Sequence, residues 1–221
     1  MSAPWTAPTV TREKVWTNCK KIPAGHQKMV SGCCVFRSCV IRYAYIERKE
    51  VDALEWNDIY DENRRRTGRV HRRGTRWREG EYGLVVCVWV YDGKGNILLT
   101  RRAPGKSFSG TWENSGGAAK AGEGSRQAIT RELFEETGIK AHPDEFEFIG
   151  SDRDRNSFYD FYCLKRSTPV EQIVLLPGET DNVKWASLEQ IHEMIEKRQI
   201  CRVIAGQFLR QEPELIKRIE K

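Results

Sequence analysis

The chain has no long hydrophobic run. Its longest apolar stretch near the N-terminus, MVSGCCVFRSCVIRYAY, is broken by Arg37 and Arg42. A membrane-spanning helix needs roughly 20 apolar residues, so none is expected. The first residues lack the basic start and apolar core of a secretion signal. Histidine is scarce: His26, His71, His142 and His192 are the only four, which speaks against a metal centre built on several imidazoles. The seven cysteines are an odd number and show no paired C-x2-C spacing, so a zinc site at Cys19, His26, Cys33, Cys34 and Cys39 is disfavoured. Cys87 and Cys163 fall in apparent strands and read as reduced and buried, which suits a cytoplasmic protein. Internal repeats and low-complexity tracts are absent. Acids are missing from one place in particular: RRRTGRVHRRGTRWR, Arg64 to Arg78, holds eight arginines and no carboxylate. Such a block favours anionic partners.

What remains is a charge-rich sequence of 221 residues with a formal net charge of +6, enough for one domain plus an extension. Residues 1–53 lack periodicity and read as an N-terminal extension; Met29 is a candidate internal start. Residues 54–221 are orderly. EWNDIYDENRRRTGRVHRRG reads as a hairpin turning at Asp61 to Asn63. GLVVCVWVYDGKGNILLTRR gives two strands joined at Asp92 to Asn96, the first apolar enough to be central. A short strand is expected from Trp112 to Ser115, and two more in EFEFIGSDRDRNSFYDFYCLKR. DNVKWASL feeds a helix from Ser187 to Lys197, with Ser187 as N-cap and Gln190 three residues on. A last helix spans Cys201 to Ile219, with an interruption expected near Pro213. Mixed strands followed by helices imply an α+β sandwich, not a doubly wound sheet.

In the stretch from Gly116 to Ile139, which a Gly pair opens and Gly138-Ile139 closes, the segment Ser125–Thr137 is rich in good helix formers and free of Gly and Pro. Glu132, Glu135 and Glu136 span about 100° of that helix, a single face. They crowd the C-terminal end, where the helix dipole disfavours negative charge. If partly buried about 6 Å apart, each pair would repel by roughly 3 kcal/mol. Hard carboxylate oxygens gathered in this way suit Mg2+ or Mn2+, which would offset the repulsion.

The spacing is specific. Gly117 is followed by five residues, Glu123, seven residues, and then Arg131-Glu132-Leu133-Phe134-Glu135-Glu136-Thr137-Gly138-Ile139. This resembles the full signature of the Nudix hydrolases. The resemblance implies a Nudix-type α/β/α sandwich with a mixed sheet and a loop-helix-loop catalytic motif. It implies Mg2+-dependent attack of water on a diphosphate, with Mn2+ as an alternative ion. It assigns Glu132, Glu135 and Glu136 to the metal, with Glu132 and Glu136 catalytic and Glu132 a further ligand or the general base. Arg131 is expected to hold a carboxylate, and Gly117, Glu123 and Gly138 to support the motif. Ala128, with its small side chain, should leave room beside the carboxylates. Some family members take a base from outside the motif, and Glu179 in PGETDNVKW is the candidate here. Arg101 and Arg102 are candidates to bind phosphate, and Trp112, Phe108 and Tyr159 to wall in a base.

From about Trp56 onward the layout also resembles the isopentenyl-diphosphate-isomerase-like bacterial branch, on WNDIYDENRRRTGRVHRRG, EGEYGLVVCVWV and GTWENSGGAAKAGE. The isomerase reaction needs a Cys acid where this chain has Gly116, and a His where it has Ala118. Hydrolysis is therefore the expected chemistry. A rival from another class is a nucleic-acid-binding module using Arg64–Arg78 with Trp77 and Tyr82. The plainer reading is a solvated hairpin edge. The same segment is a candidate homodimer interface. The expected partner is a small diphosphate, and nucleic acid and membrane are not expected.

Overall fold

The computed structural model describes residues 55–219. The expected extension 1–53, with its four cysteines and Met29, lies outside the described residues.

WNDIY forms β1 (Trp56–Tyr60) and RTGRVHR forms β2 (Arg66–Arg72), paired antiparallel as a separate two-stranded sheet. The turn is longer than expected and runs to Arg65. Asp61 Oδ1 accepts the backbone N–H groups of Asn63 and Arg65 at 3.0 and 2.8 Å, and Arg64 adopts φ 62° to let it do so.

β3 (Gly83–Tyr91) is apolar on both faces, as a central strand must be, and only Val85 is partly exposed. The turn after it is tied by Asp92 Oδ1, which accepts from Lys94 and Asn96 N–H at 2.8 Å each. β4 (Asn96–Arg102) follows, but the expected hairpin is short-lived. The strands share the Tyr91–Ile97 register and then part. β4 pairs antiparallel with β5 (Trp112–Glu113) and with β9 (Thr180–Ser187). β3 pairs antiparallel with β6 (Ser115–Ala118) and in parallel with β8 (Ser157–Lys165), which pairs antiparallel with β7 (Glu147–Asp154). The one strand expected from Trp112 to Ser115 is thus two. Its first half belongs to β4, its second to β3, and Asn114 makes the crossing.

α1 (Ser125–Thr137) has the bounds its sequence implied. Gly138 ends it at φ 70°, with its N–H on Phe134 O at 2.9 Å. α2 (Leu188–Glu196) carries the expected capping box, with Ser187 Oγ accepting Gln190 N–H at 3.2 Å and Gln190 Oε1 accepting Ser187 N–H at 2.9 Å. α3 (Arg202–Ile219) is not interrupted at Pro213. A mid-helix proline costs about 3 kcal/mol. The stripe Gln207, Phe208, Gln211 and Leu215 is buried along one side of α3, and that packing holds the helix through the proline.

α1 covers one face of the sheet, against Val86, Val88, Val90 and Leu98. α2 and α3 cover the other, against Trp89, Ile97, Leu99 and Phe161. This is the expected α/β/α sandwich.

Candidate active site

Ala128, Ile129 and Leu133 are completely buried and anchor α1 to the sheet. Ala128 therefore belongs to the apolar core. The carboxylates occupy the adjoining strip, and Arg131 is their hub. Its Nε and Nη2 donate to Glu123 Oε1 and Oε2 at 2.7 and 2.8 Å, a bidentate pair. Nη1 donates to Glu132 Oε1 at 2.8 Å and to Glu135 Oε2 at 3.2 Å, and Nη2 also reaches Ala118 O at 3.1 Å. These acids raise the guanidinium's pKa against the opposing effect of its burial. Burial alone would raise the Glu123 carboxyl, but Arg131 and the Lys120 backbone N–H outweigh it and hold Glu123 below the ordinary range.

Glu136 is partly buried beside them. Burial pushes its pKa well above the ordinary value, and the charges of Glu132 and Glu113 push it further. Against this it has the Ser115 hydroxyl and the Gly116 N–H, the latter at 3.3 Å from Oε2. Glu132 is also raised, by burial and then by Glu135, though Arg131 opposes the shift. Gly117 supports the motif by leaving space. It lies in β6, and a Cβ there would stand 2.5 Å from the Glu132 carboxyl carbon. Gly138 supports the motif differently, by its left-handed backbone at the end of α1.

Among the described residues, no three His, Cys, Asp or Glu side chains are gathered ready to hold a metal. Arg131 engages oxygens of both Glu132 and Glu135. The donor chemistry nevertheless fits a hard divalent cation. Glu136 is a partly buried acid that no cationic side chain bonds, beside a second partly buried acid that repels it.

The other candidate residues divide. Arg102 Nη1 donates to Glu113 at 2.5 Å, and Arg101 Nε donates to Asp181 at 2.7 Å, so both arginines have internal partners. Glu179 pairs with Lys106 and is 43% exposed. Its charge reaches Glu113. Trp112 and Tyr159 pack against the cluster under α2 and α3, the face opposite Glu136. Phe108 is exposed in the β4–β5 loop and takes no part in that wall. His71 is buried in the hairpin, stacked on Trp77 with centroids 3.6 Å apart.

Three residues were not marked by the sequence. Glu113 alternates with Asn114 and Ser115 and so shares the Ser115 face, toward Glu136. Arg73, just past β2, feels Glu132 and Glu179, although its own partner is Glu55. Cys87 stands directly across the sheet from Gly116, and its Sγ would be 3.3 Å from a Cβ at that position. The signal for each is sheet register, which a sequence does not display.

The pattern of the NUDIX domain matches residues 81–203. The chain belongs to the Nudix family, whose hydrolases act on pyrophosphate bonds. An uncharacterised Nudix hydrolase of Listeria monocytogenes is 29% identical over 142 residues, 63% of this chain and 83% of that one. An isopentenyl-diphosphate Delta-isomerase of Halorhodospira halophila is 32% identical over 136 residues, 58% of this chain and 78% of that one. The fold is that of a Deinococcus radiodurans protein at TM-score 0.61 and 21% identity, over 71% of this chain and 99% of that one. A MutT protein from Methanosarcina mazei superimposes at TM-score 0.50 and 23% identity, over 60% and 94%.

Proposed function

We propose that the protein is a Mg2+-dependent hydrolase that cleaves the diphosphate linkage of a nucleoside diphosphate derivative or related organic diphosphate. The observation that supports it most is Glu136, a partly buried acid beside Glu132 with no cationic side chain bonded to it. Glu132, Glu135 and Glu136 would hold the ion, with Mn2+ as an alternative. When bound, it neutralises diphosphate charge and acidifies water. Arg131 fixes the Glu132 and Glu135 rotamers, and Glu123 fixes Arg131. Water attacks phosphorus, and the bond to the leaving group breaks. Arg101 and Arg102 meet phosphate only by giving up their carboxylate partners. The free, buried thiols of Cys87, Cys163 and Cys201 suit a reducing, cytoplasmic setting. No described helix is long and apolar enough to cross a membrane.

The isomerase reading has relatives in its favour, and Cys87 beside Gly116. It has no histidine partner at Ala118, and His71 is engaged with Trp77. The nucleic-acid reading is weakened because Arg64, Arg66, Arg69 and Arg73 are ion-paired within the fold.

The test is release of phosphate or pyrophosphate from a panel of nucleoside diphosphate and triphosphate derivatives. It is run with Mg2+, with EDTA, and with Glu136→Gln. Turnover that needs metal and is lost in the variant upholds the reading. A protein inert toward the whole panel but active on isopentenyl diphosphate replaces it.

A further inference from the structure

The α1 carboxylates leave the proton of the attacking water without an obvious acceptor. Glu123 is spent on holding Arg131, and Glu132 and Glu135 are assigned to the ion. Glu136 accepts the Gly116 N–H and is likewise assigned to the ion. Glu179, the acid expected from the sequence, stands in a loop, is 43% exposed and is paired with Lys106.

β5 offers another acid. Glu113 lies across from Thr100 in β4, and Thr100 lies across from Val183 in β9. Directly paired residues share a face, so Glu113 and Thr100 stand on the side where Leu98 and Val183 join the α1 core. Two residues further along β4, past a register shift at Arg101/Arg102, Arg102 pairs with Thr180. Arg102 Nη1 reaches the Glu113 carboxylate at 2.5 Å and anchors it to β4. The Glu113 side chain keeps 13% of its surface exposed, so water can touch it. Two hydroxyls in these register pairs have no partner. Thr100 Oγ1 and Thr180 Oγ1 are both buried and make no hydrogen bond within the protein. Buried hydroxyls are seldom left unsatisfied, and a water needs two to four polar partners. Glu113, the direct register partner of Thr100, is one such partner on this face.

Resting on the hydrolase reading above, we propose that Glu113 is a catalytic residue of this site. In this assignment its carboxylate orients the attacking water and accepts its proton. The water oxygen forms the new bond to phosphorus as the bond to the leaving group breaks. The proton passes to Glu113, and the electron pair of the broken bond leaves with the departing oxygen. Arg102 is the positioning residue. Burial and the nearby Glu179 charge, opposed by Arg102, raise the Glu113 carboxyl above its ordinary range, which makes it a better proton acceptor near neutral pH.

The experiment compares Glu113→Gln, Glu113→Ala and Glu179→Gln on a substrate that the wild type turns over, at saturating Mg2+. Mg2+ affinity and thermal melting are measured alongside. Glu113→Gln keeps the side chain's shape and is expected to lower kcat by roughly 100- to 10,000-fold, with little change in KM or Mg2+ affinity. The acidic limb of the pH–rate profile should disappear in that variant. Formate should restore part of the activity of Glu113→Ala, which a purely structural role would not predict. Wild-type kcat in Glu113→Gln, or a loss explained by weaker Mg2+ binding, overturns the assignment while the hydrolase reading stands. A large loss in Glu179→Gln with little in Glu113→Gln returns the role to Glu179. A wild type inert toward every substrate overturns both.

Discussion

Two runs of like charge in this chain meet opposite fates. The Arg64–Arg78 run stands on and beside a two-stranded hairpin, and four of its eight arginines find acids from elsewhere in the fold. Asp160 comes from β8 and Glu81 from the approach to β3. The charge that looked like a surface for an anion is half spent on holding the hairpin in place. The Glu132–Glu136 run shares one arginine, and Glu136 feels two other acids. Burial makes the difference. An exposed like-charge run relaxes into water and recruits single partners, whereas a buried one retains repulsion that an external cation can relieve.

The largest expected effect sharpens the acidic side. Glu136→Gln should lower Mg2+-dependent turnover by on the order of 10²- to 10⁴-fold, since several kcal/mol of transition-state stabilisation depend on the ion. The same variant should melt no lower than wild type in EDTA, because it removes a partly buried charge. A lower melt in EDTA would show that the Glu136 carboxylate is already satisfied without metal.

The basic side should break through stability. Arg64 Nη2 lies 2.6 Å from both oxygens of Asp160, which is almost fully buried and also accepts from Ser125 Oγ at 2.5 Å. Arg64→Ala leaves that carboxylate buried and short of a cation, at about 2–4 kcal/mol. For a chain of this size, that is a drop of roughly 5–15 °C in Tm by calorimetry. A change near zero would mean that Ser125 and the α1 N-terminus suffice for Asp160.

Much of this contrast was legible in the sequence, for local reasons. α1 announced its extent by a run free of Gly and Pro that Gly138 closes, and its acids by fixed spacing along 3.6-residue turns. The Ser187–Gln190 box and the central character of β3 were equally local. The parts that escaped depend on pairing between distant strands. Asn114 divides one expected strand because β4 and β3 part after Tyr91–Ile97, and no residue near Asn114 encodes that. Glu113, a lone acid in a two-residue strand, looks like any surface glutamate until β6 fixes its face. The partners of Arg64 and Arg69 lie 96 and 12 residues away, so the basic run looked free. Pro213 misled because propensity is local and the packing that overrides it is not.

Glu123 tests the joint between the two kinds of charge. Its carboxyl is held below the ordinary range by Arg131 and the Lys120 N–H, against the effect of burial. A depressed acid binds fewer protons in the folded state than in the unfolded state. Its stabilisation is therefore full above the unfolded pKa and lost as pH falls through the folded pKa. Glu123→Gln should cost about 1–3 kcal/mol near pH 7. The gap to wild type in urea melts should narrow as the medium is acidified below the ordinary glutamate range. A gap that stays constant with pH would assign the loss to packing rather than to the ion pair.

The smallest effect belongs to the arginines for which the structure shows no acid partner. Of these four, Arg65, Arg72 and Arg76 are exposed, and Arg78, also exposed, has its backbone N–H on Glu81. If the basic run is structural, replacing these three with Gln should change stability by no more than about 0.5 kcal/mol per site and leave turnover of a small diphosphate within about twofold. The measurement that presses hardest is RNA affinity as a function of salt, wild type against the triple variant. A phosphate-binding surface would give a steep decline with salt that flattens by roughly one unit of slope for each arginine removed. Weak binding with the same slope in both proteins leaves the hairpin as a brace on β8 and β3, its charge already matched from within.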